Sequence, residues 1–573
     1  MVSNQRASGG TLRRSPRRRF GVQHVIYVLI FAIILYLVGT PVLYLLVATF
    51  FDENGFTLDA FVRAFGDPEA VALVLNTVIF SVGGAAIALV FGTALAYLQA
   101  RTDIRMKGFL FAASLMPLVL PSVVYAISWV FLYGGDAGIV SSMFVGWLGF
   151  SPLSAYGLPG MITANGLHLV PIVFLFMVPA FRAMDPSLEE AARVAGAGWW
   201  SVMRKITLQL IRPALASSTI IVVVLGLESF EVPQILGERV GVSVFTSRIY
   251  YLMRGFPTDI GAAGAVSIVL MLIAVLLMYG TGVGGNNSRQ FQTVTGKAFR
   301  PAVIRLGRAR PWVDAGVFLF FFVAVILPIL ALAYVSLTPF YSTPSWESLF
   351  NLNFTNYVAL TKIRGIGVAV VNTLVIAFVA ATVTMVLTTL AAWFVGRSTF
   401  LGRRFLDFLT LMPLVIPGMV LGLGLLAVYL RSPLPIYGSI VILMIAYITR
   451  FMPYGMRYAS SAISQIGNEL EEAAKVNGAS WSTSFRRIVL PLAAPGILSG
   501  WIFVFLVSFR ELSSTILLAG PRSEVLSVIL FRQYGEGTFG LVAALSLLMV
   551  GILSAVILLA NWIGSRVGTR IEL

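Results

Sequence analysis

Long stretches without charged side chains constrain this chain more than any other feature of its sequence. The first stretch, from Val22 to Phe50, contains no Lys, Arg, Asp or Glu, and a helix of about 20 apolar residues is already long enough to cross a bilayer. The stretch also exceeds the roughly 7 to 15 apolar residues of a signal-peptide core. We therefore predict that it is a retained membrane helix.

Eleven further apolar stretches follow, and of the 573 residues 58% are hydrophobic and only 11% charged. A soluble domain carries about a quarter charged residues, so we predict an all-α polytopic membrane protein with about twelve transmembrane helices. Prolines at 117, 121, 413 and 417 interrupt two stretches, where a kink or a re-entrant turn is expected. The further stretches lie near residues 71–98, 108–133, 158–181, 214–236, 260–280, 313–337, 368–395, 405–430, 436–456, 494–518 and 539–563.

The placement of basic residues predicts the orientation of the chain. Of its 40 Lys and Arg residues, 29 lie in the tails and in the loops on the side of the N-terminus, and nine lie in the opposite loops. Because cytoplasmic loops carry an excess of Lys and Arg, both termini are predicted to be cytoplasmic. The net charge of +16 is thereby explained by topology and membrane lipid, and no nucleic-acid partner is expected.

The chain contains the same pattern twice. Leu115–Pro121 matches Leu411–Pro417, and Asn76-Thr77 matches Asn372-Thr373, both at an offset of 296 residues. Because each half has an even number of predicted spans, the copies share one orientation around a pseudo-twofold axis along the membrane normal. We predict a basic cytoplasmic tail over 1–21, a first repeat over 22–281, a basic, glycine-rich cytoplasmic linker over 282–312 and a second repeat over 313–573.

A small-residue motif occurs once in each half, within a basic loop on the cytoplasmic side. The two copies are Glu190-Ala191-Ala192-Arg193-Val194-Ala195-Gly196 and Glu472-Ala473-Ala474-Lys475-Val476-Asn477-Gly478. With Leu188 and Leu470, the alanines recur at helical spacing, so each copy is expected to form a narrow, low-profile helical face that suits close docking. An amphipathic helix lying on the bilayer surface is the alternative for a single copy.

The residues around each motif predict how its helix begins and ends. Gly196 and Gly478 are expected to end the helices in the left-handed conformation. Four acidic residues are expected in the first turns, where unpaired N–H groups favour carboxylates. These residues are Glu189, Glu190, Glu471 and Glu472.

The second copy continues with Ile488, Leu490 and Pro491, and the whole pattern resembles the EAA signature (E-A-A-x3-G-x9-I-x-L-P) of permease subunits of binding-protein-dependent ABC importers. The first copy departs from it by Gln209 in place of the proline. The resemblance implies a type I ABC importer permease fold in the bacterial inner membrane. It also implies two copies of a separate ABC ATPase subunit, each gripping one EAA helix, and an extracytoplasmic solute-binding protein.

The chain lacks the residues that catalysis would need. It has no cysteine and only two histidines, His24 and His168, and it contains no G-x4-G-K-[ST] phosphate loop. An enzyme is therefore disfavoured, and no metal site or cofactor is expected in this chain, since ATP and Mg would be bound by the partner ATPases. An ion-gradient-driven secondary transporter with two six-span halves is the alternative from another class.

Charged and hydroxyl residues within the predicted spans mark a candidate pore, because a charge at the bilayer centre costs at least about 2.5 kcal/mol. Glu228 and Glu231 are expected on one helical face, and Arg510 either lines the pore or pairs with one of them. His168 is expected to be a packing residue, and the sequence gives Arg450 no partner. The candidates are Glu228, Ser229 and Glu231 in the fifth span and Arg510, Glu511, Ser513 and Ser514 in the eleventh.

The fused arrangement, with the stretches 227–237 and 510–513, is similar to the iron(III)-type permeases of this superfamily. That similarity implies ferric iron as the solute. Three carboxylates against Arg510 near the expected axis also favour a cation. Thiamine, polyamines, phosphonates and sugar phosphates are alternatives within the same importer class, because their permeases share much of this layout.

Overall fold

The computed structural model describes residues 22–280, 303–430, 432–433 and 435–566. The predicted basic tail, most of the predicted linker and residues 567–573 lie outside the described residues, and so do the predictions made for them. Within the described ranges, nine helices are long and apolar enough to cross a membrane, and there are twelve spans if each of three bent pairs counts as one. The chain is an all-α polytopic membrane protein, as the sequence predicts.

The first half begins with the helix Val22–Phe50 and a two-stranded antiparallel hairpin, Phe51–Asp52 with Gly55–Phe56. Its other straight spans are Glu69–Arg101, Leu158–Arg182 and Ile260–Gly280, and its bent pairs are Lys107–Leu118 with Ser122–Tyr133 and Trp199–Leu210 with Arg212–Glu228. The shorter helices are Asp59–Phe65, Ile139–Leu148, Pro186–Val194, Glu231–Leu236 and Phe245–Arg254.

The second half repeats this order. Its straight spans are Gly307–Leu337, Ile366–Arg397, Ile440–Ser464, Trp481–Phe509 and Phe539–Arg566, and its bent pair is Arg403–Leu414 with Gly418–Leu430. The shorter helices are Trp346–Phe350, Thr355–Lys362, Asn468–Val476, Thr515–Leu518 and Leu526–Gly535. We call Glu69–Arg101 and Ile366–Arg397 the first and second long helices, and Phe245–Arg254 and Leu526–Gly535 the first and second distal helices.

The repeated proline motifs bend their spans sharply. The helix axes turn by 95° between Leu118 and Ser122 and by 108° between Leu414 and Gly418. Proline lacks an N–H and its ring clashes with the preceding turn, and in each half two prolines four residues apart coincide with the break in the helix. The predicted kinks are therefore confirmed, and in each half a turn of backbone is placed inside the span.

The two repeats are consecutive in sequence but interlocked in space, because the first span of each half packs on the other half. The Tyr27 hydroxyl donates to the Leu401 carbonyl at 2.8 Å, and the Tyr341 hydroxyl, just after the span Gly307–Leu337, donates to the Ala137 carbonyl at 2.9 Å. At Gly424 an added Cβ would lie 2.7 Å from the Pro41 carbonyl oxygen. Each half therefore depends on the other for part of its packing.

Each long helix lies close against the span that leads to the EAA motif. A Cβ added at Gly92 would lie 2.6 Å from Val173 Cβ, and one added at Gly455 would lie 2.7 Å from Thr388 Oγ1. These two contacts are at matching places in the repeat, although the glycine has moved to the other helix. Small residues allow such close approach in membranes, so each pair of helices forms one tightly packed unit.

Candidate functional site

The EAA motifs form two short helices, Pro186–Val194 and Asn468–Val476, which we call the first and second EAA helices. Gly196 and Gly478 follow them with φ of 83° and 79°, as predicted. The N–H of Ala197 donates to the Ala192 carbonyl at 2.9 Å, and Ala479 makes the same bond to Ala474. This hydrogen bonding satisfies carbonyls at the helix end and requires the left-handed residue.

The acidic residues of the motif do not all lie where the sequence placed them. Glu189 and Glu471 are in the first turns of the EAA helices, but Glu190 and Glu472 are not. The prediction was wrong for these two because the helices begin at Pro186 and Asn468, which puts Glu190 and Glu472 in the second turn. Both point to solvent, whereas Glu189 and Glu471 are buried.

The rest of each EAA helix presents its motif outward. Leu188 is 49% exposed and Val194 90% exposed, and their counterparts Leu470 and Val476 are 47% and 88% exposed. Ala191 and Ala473 are exposed, and Ala192 and Ala474 are half-buried. Two matching surfaces of small and apolar side chains are therefore left uncovered by this chain.

A buried ion pair joins the first EAA helix to the end of the first long helix. Arg101 donates to Glu189 Oε2, and the Thr207 hydroxyl donates to Glu189 Oε1 at 2.7 Å. The side chain of Arg101 is 0% exposed and that of Glu189 is 3% exposed. Arg193 lies farther from the carboxylate, at 3.8 Å, and is partly exposed.

The second half holds its EAA helix with a related but looser set of contacts. Arg397 Nε lies 3.5 Å from Glu471 Oε1, and the indole N–H of Trp393 donates to Glu471 Oε2 at 3.1 Å. Arg397 also donates to the carbonyls of Ile463 and Ile466. Sequence reasoning missed both arginines as functional candidates. The repeat could have revealed them, because Arg101 and Arg397 occupy matching positions at the offset of 296 residues. The buried acids Glu189 and Glu471 likewise match at the offset of 282.

The predicted pore residues lie where two spans lose their helical structure. The helix Arg212–Glu228 ends, Ser229 is extended with ψ of 124°, and a new helix begins at Glu231. In the second half the helix ends at Phe509 and the next one begins at Thr515. Glu228 and Glu231 therefore do not share one helical face as predicted, because the chain leaves the helix between them.

Arg450 is the cation that pairs with these carboxylates. Its Nη1 lies 3.2 Å from Glu511 Oε1 and its Nη2 lies 3.8 Å from Glu228 Oε2. A Cβ at Gly418 would lie only 1.0 Å from Nη1, so a side chain at this position would displace the guanidinium. The sequence had left Arg450 without a partner and considered Arg510 for this pairing. Of the two roles left open for Arg510, the ion pair is not seen, since none of the ion pairs among the described residues includes it.

Arg510 instead crosses to the other half and donates to the Leu118 carbonyl, in the backbone turn of the first proline motif. Ser513 makes a second crossing, since its hydroxyl donates to Glu231 Oε1 at 3.2 Å. Ser514 stays within its own half and donates to Glu511 through its N–H and its hydroxyl, at 2.9 and 3.0 Å. We call Glu228, Glu231, Arg450, Arg510, Glu511 and Ser513 the central polar cluster.

The cluster is not symmetric. The position of Arg450 in the second repeat is occupied by His168 in the first, and the position of Arg510 by Glu228. The His168 ring lies against Tyr125, with 5.1 Å between the ring centres. With every group ionised, the cluster contains three carboxylates and two guanidinium groups, whereas Arg510 was the single cation predicted there. Among the described ion pairs none involves Glu231, so this carboxylate is the one without an arginine partner.

The repeated Asn-Thr pairs link each long helix to its distal helix. Thr77 Oγ1 accepts from the N–H of Phe245 at 3.1 Å, and Thr373 Oγ1 accepts from the N–H of Leu526 at 3.0 Å. Asn76 and Asn372 donate to carbonyls just before the same helices. The structure thus places these residues in hydrogen bonds that link neighbouring helices.

Comparisons with known proteins agree with the duplicated layout. The family described as "Binding-protein-dependent transport system inner membrane component" matches residues 88–282 and again residues 385–569. The chain is 28% identical over 543 residues to the ferric transport system permease protein FbpB of Actinobacillus pleuropneumoniae, covering 94% of this chain and 77% of that protein. It is 29% identical over 518 residues to the putative ferric transport system permease protein FbpB 1 of Haemophilus influenzae, covering 89% and 79%.

Other similarities cover less of the chain. The sulfate transport system permease protein CysT of Salmonella typhimurium is 29% identical over 214 residues, which cover 35% of this chain and 76% of that protein. A solved bacterial alginate ABC transporter, in complex with an alginate-bound periplasmic protein, is 22% identical with a TM-score of 0.39, covering 47% of this chain and 95% of that chain.

Proposed function

Because the chain belongs to the family of binding-protein-dependent transport system inner membrane components, we propose that it is the fused permease of a bacterial importer of ferric iron. A binding protein outside the membrane delivers the solute. Two copies of a separate ATPase subunit bind the EAA helices and drive alternating access with ATP and Mg. Both termini and both EAA helices face the cytoplasm.

The observation that carries this proposal is the pair of EAA helices. Their exposed faces match in the two halves, and the acid on the opposite side of each helix is buried against its own half. A helix held from one side and open on the other can transmit the movement of a bound partner. Two equivalent surfaces suit two copies of one ATPase subunit.

Ferric iron is supported by similarity and by charge. The two ferric permeases align with most of this chain, and carboxylate oxygens are suitable ligands for hard cations. In the described residues no three acidic or histidine side chains are grouped to hold a metal ion.

The central polar cluster is the proposed pore, with Glu228, Ser229, Glu231, Arg510, Glu511, Ser513 and Ser514 as its lining. Contacts of Arg450, Arg510 and Ser513 join the two halves at this level. Breaking these contacts would open a gap between the halves at the cluster alone, and Glu231 would then offer a carboxylate to the passing cation.

Reconstitution tests the proposal. Proteoliposomes containing this chain, its ATPase subunits and its binding protein loaded with radioactive Fe(III) should accumulate iron only when ATP and Mg are supplied on the ATPase side. Iron uptake driven by an ion gradient in liposomes without ATPase would contradict the importer mechanism and favour a secondary transporter. ATP-dependent uptake of spermidine, thiamine, a phosphonate or a sugar phosphate, with none of iron, would contradict the solute alone.

A further inference from the structure

Each long helix contacts both the EAA helix and the distal helix of its own half. The first long helix has 33 residues and the second 32, which at 1.5 Å per residue corresponds to about 50 Å. The last residue of each helix, Arg101 or Arg397, contacts the EAA helix, and Thr77 or Thr373, about two turns from the other end, contacts the distal helix. These contacts are at matching repeat positions, so each half is built in the same way.

The distal helices are close in sequence to the central polar cluster. The first one follows Glu231 after the short helix Glu231–Leu236, and the hydroxyl of Thr246 in it donates to the Ser229 carbonyl at 2.7 Å. In the second one, Ser527 donates to the Glu511 carbonyl at 2.8 Å. Movement of a distal helix would therefore pull on the backbone that carries the cluster.

We propose that Arg101 and Arg397 are positioning residues that clamp each EAA helix to its long helix, so that ATPase-driven movement reaches the distal helix and the cluster. This inference rests on the proposed function. The clamp has a physical basis in burial: the Arg101 guanidinium is wholly buried, and its Nε and Nη1 have no hydrogen-bond partner among the described residues. Its charge is matched by Glu189, so the two side chains must move together.

The clamps are unequal, which gives the inference a second consequence. Arg101 donates directly to its carboxylate, whereas Arg397 divides its donors between Glu471 and two carbonyls of the helix Ile440–Ser464 and the residues after it. The first half therefore holds its EAA helix more rigidly. Loss of the first clamp should impair coupling more than loss of the second.

Removing both partners of a clamp separates its mechanical role from the effect of an unpaired buried charge, since a buried ion pair replaced by apolar residues often keeps its stability. The test variants are Arg101→Met with Glu189→Leu, and Arg397→Met with Glu471→Leu. The matched control is Arg63→Met with Asp259→Leu, which removes a partly exposed pair at the distal end of the first half. The single variant Arg101→Lys keeps the positive charge, so it should retain part of the iron uptake that the double variant Arg101→Met with Glu189→Leu loses.

Distances in the complete transporter provide the readout. The chain has no cysteine, so spin labels can be placed by single substitutions. One label pair, Trp200→Cys with Ser482→Cys, reports on the exposed segments just after the EAA helices, and another, Tyr251→Cys with Gly535→Cys, reports on the distal helices. In the unmodified background, both distances should change when ATP with vanadate is added.

In the first clamp variant we expect the EAA distance to change with nucleotide as before, while the distal distance stays constant and iron uptake falls at least tenfold. The second clamp variant should show a smaller loss, and the Arg63 control should behave as the unmodified protein. A normal distal change in both clamp variants would overturn the inference and leave the proposed function intact. No nucleotide-dependent change at the EAA pair in the unmodified protein would instead overturn the proposed function.

Discussion

The guanidinium of Arg450 lies between two carboxylates that come from different halves, Glu511 at 3.2 Å and Glu228 at 3.8 Å. An isolated charge in an apolar interior is costly, and a pair is tolerated only when both charges stay in contact. Arg510 is different, since its described hydrogen bond is to the neutral Leu118 carbonyl. The two arginines are neighbours in the cluster but play different electrostatic roles.

Replacement of these arginines should therefore have unequal effects. Arg450→Met leaves two buried carboxylates without their cation and should destabilise the protein by about 3–5 kcal/mol. Arg510→Met leaves one carbonyl unsatisfied and should cost about 1–3 kcal/mol. Thermal unfolding of both variants in detergent measures the difference as a lower midpoint for Arg450→Met. Equal midpoints would show that Arg450 is not the main partner of the carboxylates.

Asp103 joins the start of the second half to the end of the first long helix. Its carboxylate accepts from the N–H of Leu306 at 2.8 Å and lies 3.8 Å from Arg310. The Leu306 hydrogen bond, with a smaller contribution from Arg310, holds the pKa of Asp103 below its usual value of 3.8. A lowered pKa in the folded state means that the contact is present above that value and is lost as the pH falls through the lowered pKa.

Hydrogen exchange can follow this contact. The Leu306 amide should remain protected at neutral pH and should become more exposed to exchange as the pH is brought below about 4, after correction for the intrinsic rate. Asp103→Asn should weaken the same protection already at pH 7, since the charge is lost. Asp314→Asn, in the following helix, is the control and should leave the Leu306 amide unchanged. Protection that is the same in all three proteins would refute the assignment.

Among the elements, each EAA helix depends on the glycine after it. Gly478 has φ of 79° and nothing within 4 Å of an added Cβ, so the conformation and not the space requires glycine there. A side chain at this position costs about 1–2 kcal/mol in the left-handed region. Gly478 also borders the exposed surface of the EAA helix, so a larger side chain there would obstruct a docked partner.

Gly478→Leu should therefore leave membrane insertion intact but uncouple ATP hydrolysis from iron uptake, and Glu472→Trp should do the same through the partner surface alone. Uptake and binding-protein-stimulated ATPase activity are measured together in proteoliposomes. Gly198→Ala is the control, since this glycine follows the first EAA helix with an ordinary φ of −66° and open space beside it. Normal uptake in both variants, and in the corresponding first-half variants combined with them, would refute the docking role.

The elements also show which features local sequence can predict. The proline bends, the glycine ends of the EAA helices and the spans themselves were predicted, because each follows from a local rule of backbone geometry or apolar length. The breaks after Glu228 and Phe509 were not. Both lie within long apolar stretches whose composition would also suit a continuous helix, and the backbone there is held by hydrogen bonds from Thr246 and Ser527, which lie 17 and 16 residues further along the chain on separate helices.

At the scale of the whole molecule, the halves are held together by exchanged first spans as well as by the cluster. The Tyr27 hydroxyl bonds to Leu401, and the Tyr36 and Tyr429 hydroxyls lie 3.2 Å apart. In the opposite direction, Tyr341 bonds to Phe131 and Ala137. These contacts do not need a covalent connection between the repeats.

A chain divided after residue 290 should therefore still assemble. The two fragments, expressed together, should copurify through a tag on one of them and support ATP-dependent iron uptake within about threefold of the intact chain. Each fragment alone should be degraded, since its apolar contacts with the other half are missing. Fragments that are stable alone and do not copurify would show that the exchanged spans do not hold the halves together.

The sequence by itself determined the membrane class, the number of spans, the duplication and the position of the EAA helices. The membrane class, the spans and the helix ends follow from the length of apolar runs and from proline and glycine geometry, which act within one segment, and the duplication follows from repeat spacing, which is visible in the sequence itself. Only the tertiary structure decided that Arg450 and not Arg510 pairs with Glu228, and that Arg101 binds Glu189. Such pairs join side chains far apart in the chain, and a buried charge takes the partner that helix packing brings within a few ångströms, which no local pattern specifies.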